Sequence, residues 1–276
     1  MLILFGFGIL LGGVSPTHVA QGAGNKNIWL VKTDARGNME WNLINDFGSD
    51  DYVRAVIQTS DGGFALVGTV YSVYYGRYSP FGLLMKTDAH GVQQWVRSYA
   101  REGGDAYDCY SFSAGIQTAD DGFLLAGSIT NSYSENTIFS SWLVKTDAAG
   151  NKQWSGSIGD LYDSSQLNAI SQTADGGFVL VGQHLTFVSW PNSWYGYYIN
   201  DGWLVKLNSN GGVEWEQTYD GGADNDTVKS VTQTAGGGFL LAGSTGGAAW
   251  LIKTDASGNK IWDRTYGGGG FNTIIP

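Results

Sequence analysis

Five times along this chain a segment reading Trp-Leu-Val-Lys-Thr-Asp, or a close variant, leads through a glycine turn to a second tryptophan. The copies run Trp29–Trp41, Leu83–Trp95, Trp142–Trp154, Trp203–Trp215 and Trp250–Trp262, and in each the ends lie 12 positions apart. A fixed internal distance repeated in register means one structural unit used several times, which constrains the fold more than any composition does. A second phrase follows four of the copies. It reads Gln58 to Gly68 in the first, with Asp61-Gly62-Gly63-Phe64 at its centre, and recurs at Gln117–Gly127, Gln172–Gly182 and Gln233–Gly243.

Each phrase has the form of a β-hairpin. Ile28 to Thr33 is rich in β-formers, Asp34 to Asn38 supplies turn residues with Gly37 free to take a positive φ, and a second run reaches Trp41. In the second phrase, Val53 to Thr59 and Phe64 to Val70 flank the tight turn. Two hairpins make four strands, here called A, B, C and D. No window carries a sustained helical period, so helical solenoids are excluded. Repeated four-stranded units of about 45 to 60 residues point to an all-β fold, a β-propeller of five four-stranded blades.

The repeats fall at about 28–70, 82–130, 141–186, 202–246 and 249–276 within one domain, 1–276. The last copy stops after two strands. Phe7 to Val14 resembles a D strand and Met1 to Phe5 a remnant of a C strand, so the expected ring is closed by a blade shared between residues 1–14 and the C-terminal hairpin. Residues 1–23 also admit reading as a signal peptide ending in small residues, although no Lys or Arg precedes Lys26. A chain cut from a longer propeller is a further alternative.

Physical roles follow for the repeated residues. Trp41, Trp95, Trp154, Trp215 and Trp262 are expected to wedge between neighbouring blades. Gly68, Gly127, Gly182 and Gly243 mark close backbone approach in D strands, and Ala55, Ala114, Ala169 and Ser230 are small at one shared C-strand position, as expected where sheets press together. Lys32, Lys86, Lys145, Lys206 and Lys253 recur in the A strands, taken as the innermost, and are expected to pair with turn aspartates.

The net charge of −10 repels phosphate backbones and anionic lipid, so neither nucleic acid nor membrane insertion is expected. Cys109 is the lone cysteine, which excludes an internal disulfide framework. The phrases Lys-Thr-Asp-Ala-x-Gly-Asn-x-x-Trp and Gln-Thr-x-Asp-Gly-Gly-Phe resemble repeats of secreted bacterial and archaeal β-propeller proteins of unassigned function, which implies an extracellular or cell-surface location. More distantly, Asp34-Ala35-Arg36-Gly37 with Trp41 is similar to the tryptophan-docking motif of quinoprotein (PQQ-type) propellers. The spacing here is one residue shorter, and the adjacent cysteine pair of many quinoprotein dehydrogenases is absent.

The variable segments all join B to C or D to A, at the opposite end from the near-identical short turns, where a rigid scaffold presents binding loops. Two D–A segments, 71–81 and 187–198, are strongly aromatic. Trp190, Trp194, Tyr195, Tyr197, Tyr74, Tyr75 and Tyr78 are the candidate contacts for a protein, a cell-surface glycan or a sister subunit in a homo-oligomer. The B–C segments are acidic, and Asp224 and Asp226 are weak candidates for Ca²⁺; no other cofactor is expected. No catalytic residue is assigned. The A-strand entrances are Asn27, Gly82, Ser141, Gly202 and Ala249, and only Asp201 adds a carboxylate, too few for paired acid and base work. The expected function is therefore a non-catalytic extracellular binding or assembly module. The alternatives are a quinoprotein-like oxidoreductase or glycan-active enzyme, and a purely structural subunit of a surface polymer.

Overall fold

The computed structural model describes residues 2–5, 8–16, 26–47, 50–74, 77–104, 108–131, 138–159, 165–190 and 196–271. They form 20 strands and no helix, arranged as five antiparallel four-stranded sheets, the blade inventory of a five-bladed β-propeller. The first sheet holds β1 (Leu2–Phe5), β2 (Gly8–Pro16), β3 (Lys26–Asp34) and β4 (Met39–Asn45). The second holds β5 (Tyr52–Gln58), β6 (Phe64–Tyr74), β7 (Arg77–Thr87) and β8 (Gln93–Tyr99). The third holds β9 (Asp108–Gln117), β10 (Phe123–Asn131), β11 (Ile138–Thr146) and β12 (Lys152–Ile158). The fourth holds β13 (Gln166–Gln172), β14 (Phe178–Ser189), β15 (Gly196–Leu207) and β16 (Val213–Tyr219). The fifth holds β17 (Asp226–Gln233), β18 (Phe239–Thr245), β19 (Ala248–Thr254) and β20 (Lys260–Tyr266). The chain clusters into two units, Met1–Thr137 with Leu143–Gly156, and Ile138–Trp142 with Ser157–Pro276.

Every sheet therefore runs C-D-A-B, a different phase from the A-B-C-D repeats of the sequence. The D strand pairs with the A strand that follows it in the chain: β2 with β3, β6 with β7, β14 with β15 and β18 with β19. This corrects the expected closure. Residues 2–5 and 8–16 are strands, but they pair with each other and with β3, while β19 and β20 complete the fifth sheet with β17 and β18. The physical reason is local. A hairpin to the next strand closes a short loop, whereas a blade shared between the chain ends closes the longest loop available.

The D-strand glycines have the predicted role. In four of the five C strands one residue is bulged: Arg54, Ser113, Asn168 and Lys229 are skipped in the pairing with D. The bulge pushes a carbonyl onto the facing glycine. A Cβ at Gly68, Gly127, Gly182 or Gly243 would lie 1.9, 1.8, 1.8 or 1.9 Å from the oxygens of Tyr52, Ser111, Gln166 and Thr227. The small residues Ala55, Ala114, Ala169 and Ser230 directly follow the bulged ones.

Three of the five B-strand tryptophans are wedges between successive sheets within a unit. Trp41, Trp95 and Trp215 meet Phe64, Phe123 and Phe239 of the next sheet at ring-centroid distances of 5.6, 6.1 and 6.0 Å. The same indoles cover Gly91, Gly150 and Gly258 in the next A–B turn, where a Cβ would come within 2.7 Å of the ring. Tyr99 and Tyr219 end their B strands by donating to the carbonyls of Gly150 and Gly258, each at 2.7 Å. Trp262, on the last B strand, is exposed. The A-strand tryptophans Trp142, Trp203 and Trp250 are buried, and the indole N–H groups of Trp203 and Trp250 reach Glu216 and Asp263 on the neighbouring B strand. Between the fourth and fifth sheets the core is Val179, Val181, Leu204, Val228, Leu241 and Ile252 around Trp250.

The A strand is third in each sheet, not innermost, so the repeated lysines do not converge on an axis. Three of them are instead held at their own C–D turns, as expected, while Lys32 pairs with Glu40 on the neighbouring B strand. The buried ammonium of Lys86 meets Asp61 at 2.8 Å and the Thr87 carbonyl at 2.8 Å. Lys145 meets Asp120 at 2.8 Å, and Lys206 meets Asp175 at 3.0 Å. Although burial opposes it, Lys86 with Thr59 holds the Asp61 carboxyl at about 2. Lys253 has no such partner, because Gly236 occupies the aspartate position, and it donates to Thr234 at 2.8 Å.

Two substitutions separate these roles. Gly236 has open space around a Cβ and an ordinary φ, so Gly236→Asp is expected to stabilise the chain by about 0.5–1 kcal/mol, measured by urea unfolding. Gly182→Ala should cost about 3 kcal/mol in the same assay, because the methyl group meets the Gln166 carbonyl.

Candidate functional site

The described parts of the two aromatic D–A segments are strands, not the loops expected. Their runs of β-formers continue the strands into long hairpins, with Tyr74 facing Arg77 and Val73 facing Tyr78 in one, and Ser189 facing Gly196 in the other. The β14–β15 hairpin pairs without interruption from Phe178–Leu207 out to Ser189–Gly196. Its outer part leaves Phe187 (47%), Trp190 (55%), Tyr197 (45%) and Tyr198 (64%) exposed. Phe187 and Tyr198 form one cross-strand ring pair, with centroids 5.1 Å apart. Alternation places Asp201, Ile199 and Tyr197 on one face of β15, and Asn200 and Tyr198 on the other. The rise from Asp201 to Tyr197 is about 13 Å.

At the base of this hairpin three carboxylates converge. One oxygen from each of Asp201, Asp220 and Asp226 lies within 4.8 Å of the others. Asp201 sits on β15, Asp220 directly follows β16, and Asp226 opens β17. The connection between them is tied down. The Gly221 amide donates to Asp226 Oδ2 at 2.5 Å, and the Gly222 amide to Asp220 Oδ1 at 2.6 Å. The Asn200 amide donates to the Asp224 carbonyl at 3.0 Å, and the Asn200 side chain donates to Asn225 at 3.1 Å. Asp226 is fully buried and Asp220 is exposed. Asp226 Oδ1 and Asp201 Oδ1 are buried with no hydrogen-bond partner among the described residues. The other Asp201 oxygen accepts from Thr186 at 3.2 Å. Burial, and after it the charges of Asp220 and Asp226, push the Asp201 carboxyl above the ordinary aspartate range. His184 faces Asp201 across the hairpin, and its ring packs edge-on against Trp203 at 5.7 Å.

Three repeat offsets generate this trio: two residues before the A-strand tryptophan, five after the B-strand tryptophan, and four before the small C-strand residue. In the first and second sheets the same offsets hold Asn27, Asp46 and Asp51. Asn27 is fully buried, and neither polar atom of its side chain has a partner among the described residues. Asp51 is also fully buried, but both its oxygens are used, by the amides of Phe47 at 3.2 Å and Tyr71 at 3.4 Å. Burial raises its carboxyl to about 6, helped by the nearby Asp46 and Asp50. Elsewhere the offsets hold Phe81, Ala100 and Tyr110, or Ser140, Gly159 and Ser165, so the acids are not a general requirement of the blade.

Of the residues singled out from sequence, Trp190 and Tyr197 lie together on the exposed β14–β15 hairpin. Tyr74 and Tyr78 lie in the β6–β7 hairpin of a different sheet. Tyr75, Trp194 and Tyr195 fall outside the described residues. Asp226 belongs to the carboxylate trio, whereas Asp224 contributes its backbone carbonyl to Asn200 and is not one of the three. Asp201 is not a lone carboxylate, because the B–C connection brings Asp220 and Asp226 to it. Aligning the three offsets across the repeats would have exposed the trio.

No family model matches the chain. No curated protein matches its sequence. Among solved structures, the chain is similar to a glycoside hydrolase over 94% of this chain and 84% of that one, with 8% identity and a TM-score of 0.43. It is also similar to MPT-1, a GDP-Man-dependent mannosyltransferase from Leishmania mexicana, over 94% and 79% of the two chains, with 9% identity and a TM-score of 0.38. Sqt1 from Chaetomium thermophilum matches over 82% of this chain and 64% of its own, with 13% identity and a TM-score of 0.37. Identity this low transfers no activity.

Asp51 sets a pH dependence whose sign is fixed. Its folded pKa, about 6, lies above the ordinary 3.8, so its contribution is fully present below about pH 4 and is lost as pH rises to 6. Asp51→Asn is expected to flatten the fall in stability between pH 4 and 6, read as melting temperature against pH. An unchanged slope would remove Asp51 as its source.

Proposed function

We propose that this chain is a non-catalytic extracellular binding module that holds a glycan chain along its β14–β15 hairpin. The observation that carries the reading is the exposure of Tyr197 on the paired β14–β15 ribbon and of Trp190 just past its last pair, with Phe187 and Tyr198 exposed on the other face. Aromatic rings of this kind offer flat apolar plates with polar tips, which match the faces and hydroxyls of a sugar ring. Carrying them on strands keeps the plates ordered before the ligand arrives, so less freedom is lost on binding. The run of about 13 Å between Asp201 and Tyr197 suits an oligosaccharide better than a single sugar. The net charge of −10 favours a neutral or basic glycan over an anionic one. The extracellular assignment rests on the resemblance of the repeats to secreted propellers.

The carboxylates do not favour glycan cleavage. Asp226 is fully buried, and the trio's oxygens lie within 4.8 Å of one another. Glycosidases keep their two carboxyl groups about 5–9.5 Å apart, with the substrate or a water between them.

Affinity electrophoresis through gels containing neutral polysaccharides tests the reading. The wild-type chain should be retarded by at least one of them, and Trp190→Ala or Tyr197→Ala should weaken that binding about tenfold, equivalent to about 1.4 kcal/mol. Equal retardation of the variants, or passage of the wild type through every gel unretarded, would discard it.

A further inference from the structure

Asp201, Asp220 and Asp226 are joined by an observation that does not depend on what the hairpin binds. Asp226, fully buried, and Asp201, half-buried, each have one oxygen committed to a donor and one buried oxygen left over. Asp226 Oδ2 takes the Gly221 amide while its Oδ1 has no partner among the described residues. Asp201 Oδ2 takes the Thr186 hydroxyl while its Oδ1 has none. A buried carboxylate oxygen without a donor is costly, and bringing three carboxylates together is costlier, since like charges add repulsion to lost hydration. The sister position shows how the fold satisfies such a group when it serves only as a cap, for Asp51 uses both oxygens on backbone amides. The pattern at Asp201 and Asp226 is that of metal ligands, in which a hydrogen bond to one oxygen orients the other.

We propose that Asp201, Asp220 and Asp226 form a binding site for a hard divalent cation, Ca²⁺ in the first instance. All three donors are oxygens, and the trio has neither the thiolate nor the imidazole that would favour zinc. Oxygen atoms within 4.8 Å of one another lie no further apart than two ligands on opposite sides of one Ca²⁺, whose ligand distances are about 2.3–2.6 Å. The remaining coordination positions fall to water and to carbonyls of the glycine-rich 220–225 connection. The cation would tie β15, carrying Asp201, to the segment that leads from β16 to β17, and so close the long hairpin's base onto the fifth sheet.

The test uses the full chain stripped with a chelator. Trp250 is at hand as a sensitiser, since a Cβ on Gly202, beside Asp201, would lie 3.0 Å from its ring. Tb³⁺ should therefore give saturable luminescence under tryptophan excitation, and Ca²⁺ should compete with an apparent Kd at or below about 10⁻³ M. Ca²⁺ should also raise the melting temperature. Asp220 is exposed, so Asp220→Asn leaves the core intact and should lose that signal or weaken it at least tenfold. The proposal is overturned by the absence of saturable binding up to about 10⁻² M Ca²⁺. It is equally overturned if Asp220→Asn binds as tightly as the wild type, which would place the ion elsewhere. A third overturning result is an Asp220→Asn chain that melts higher than the wild type while neither responds to Ca²⁺, because the trio is then only a repulsive cluster. None of these readouts involves a glycan, so failure here leaves the hairpin reading standing, and the reverse also holds.

Discussion

An indole on the outer strand of one sheet lying against a glycine in the next sheet's turn is the contact on which the rest of the architecture depends. Trp41, Trp95 and Trp215 each cover such a glycine and touch the phenylalanine that opens the next D strand. A lone four-stranded meander has two faces and cannot bury both. The tryptophan supplies a large apolar surface at the rim, and the glycine removes the side chain that would hold the sheets apart. The tyrosine at the end of the same strand then donates to the glycine's own carbonyl, in two of the three cases at 2.7 Å. Shape and hydrogen bonding thus fix the same neighbour, which is why the interval of 12 residues between A- and B-strand aromatics does not drift.

The elements of this fold could be read from the chain because their causes are local. Hairpin turns, bulge-facing glycines and wedge tryptophans depend on residues a few positions apart, and Gly68, Gly127, Gly182 and Gly243 take the close approach that their place in a strand implied. The phase of the blade could not be read in the same way. A cyclic repeat A-B-C-D is identical to C-D-A-B when only the order of strands is known. The choice falls on the D–A connection, where the long hairpins β6–β7 and β14–β15 form continuous ladders. Residues 2–16 show the consequence, since their D-like strand takes the first A strand beside it rather than the last one, about 240 residues away.

The candidate site was legible in pieces only. Trp190 and Tyr197 stood out by composition, yet their segment reads as a loop until Phe187 is seen opposite Tyr198. Asp201 looked solitary because its companions, Asp220 and Asp226, lie 19 and 25 positions further on, in the connection to another sheet. The three carboxylates come from a strand interior, a connection and a strand start, so they show only when three separate repeat offsets are aligned together. What the sequence does contain is their absence elsewhere: the equivalent offsets carry Phe81, Ala100 and Tyr110 between the second and third sheets.

Charge is treated differently at the two ends of the strands. At the short-turn end, the turn aspartates Asp61, Asp120 and Asp175 each meet a buried lysine from their own sheet, and the bonds they accept hold their carboxyls below the usual range. Those pairs neutralise locally and close the hairpins. At the long-hairpin end the repeat supplies no lysine, and the carboxyls of buried Asp51 and half-buried Asp201 are shifted the other way. A fold that already places a matched cation beside its acids in three turns has no structural need for unmatched ones. Among the described residues, Asp201 and Asp226 each keep a buried oxygen without a donor at the base of the exposed aromatic ribbon, a cost that packing alone does not explain and that a ligand bound there would offset.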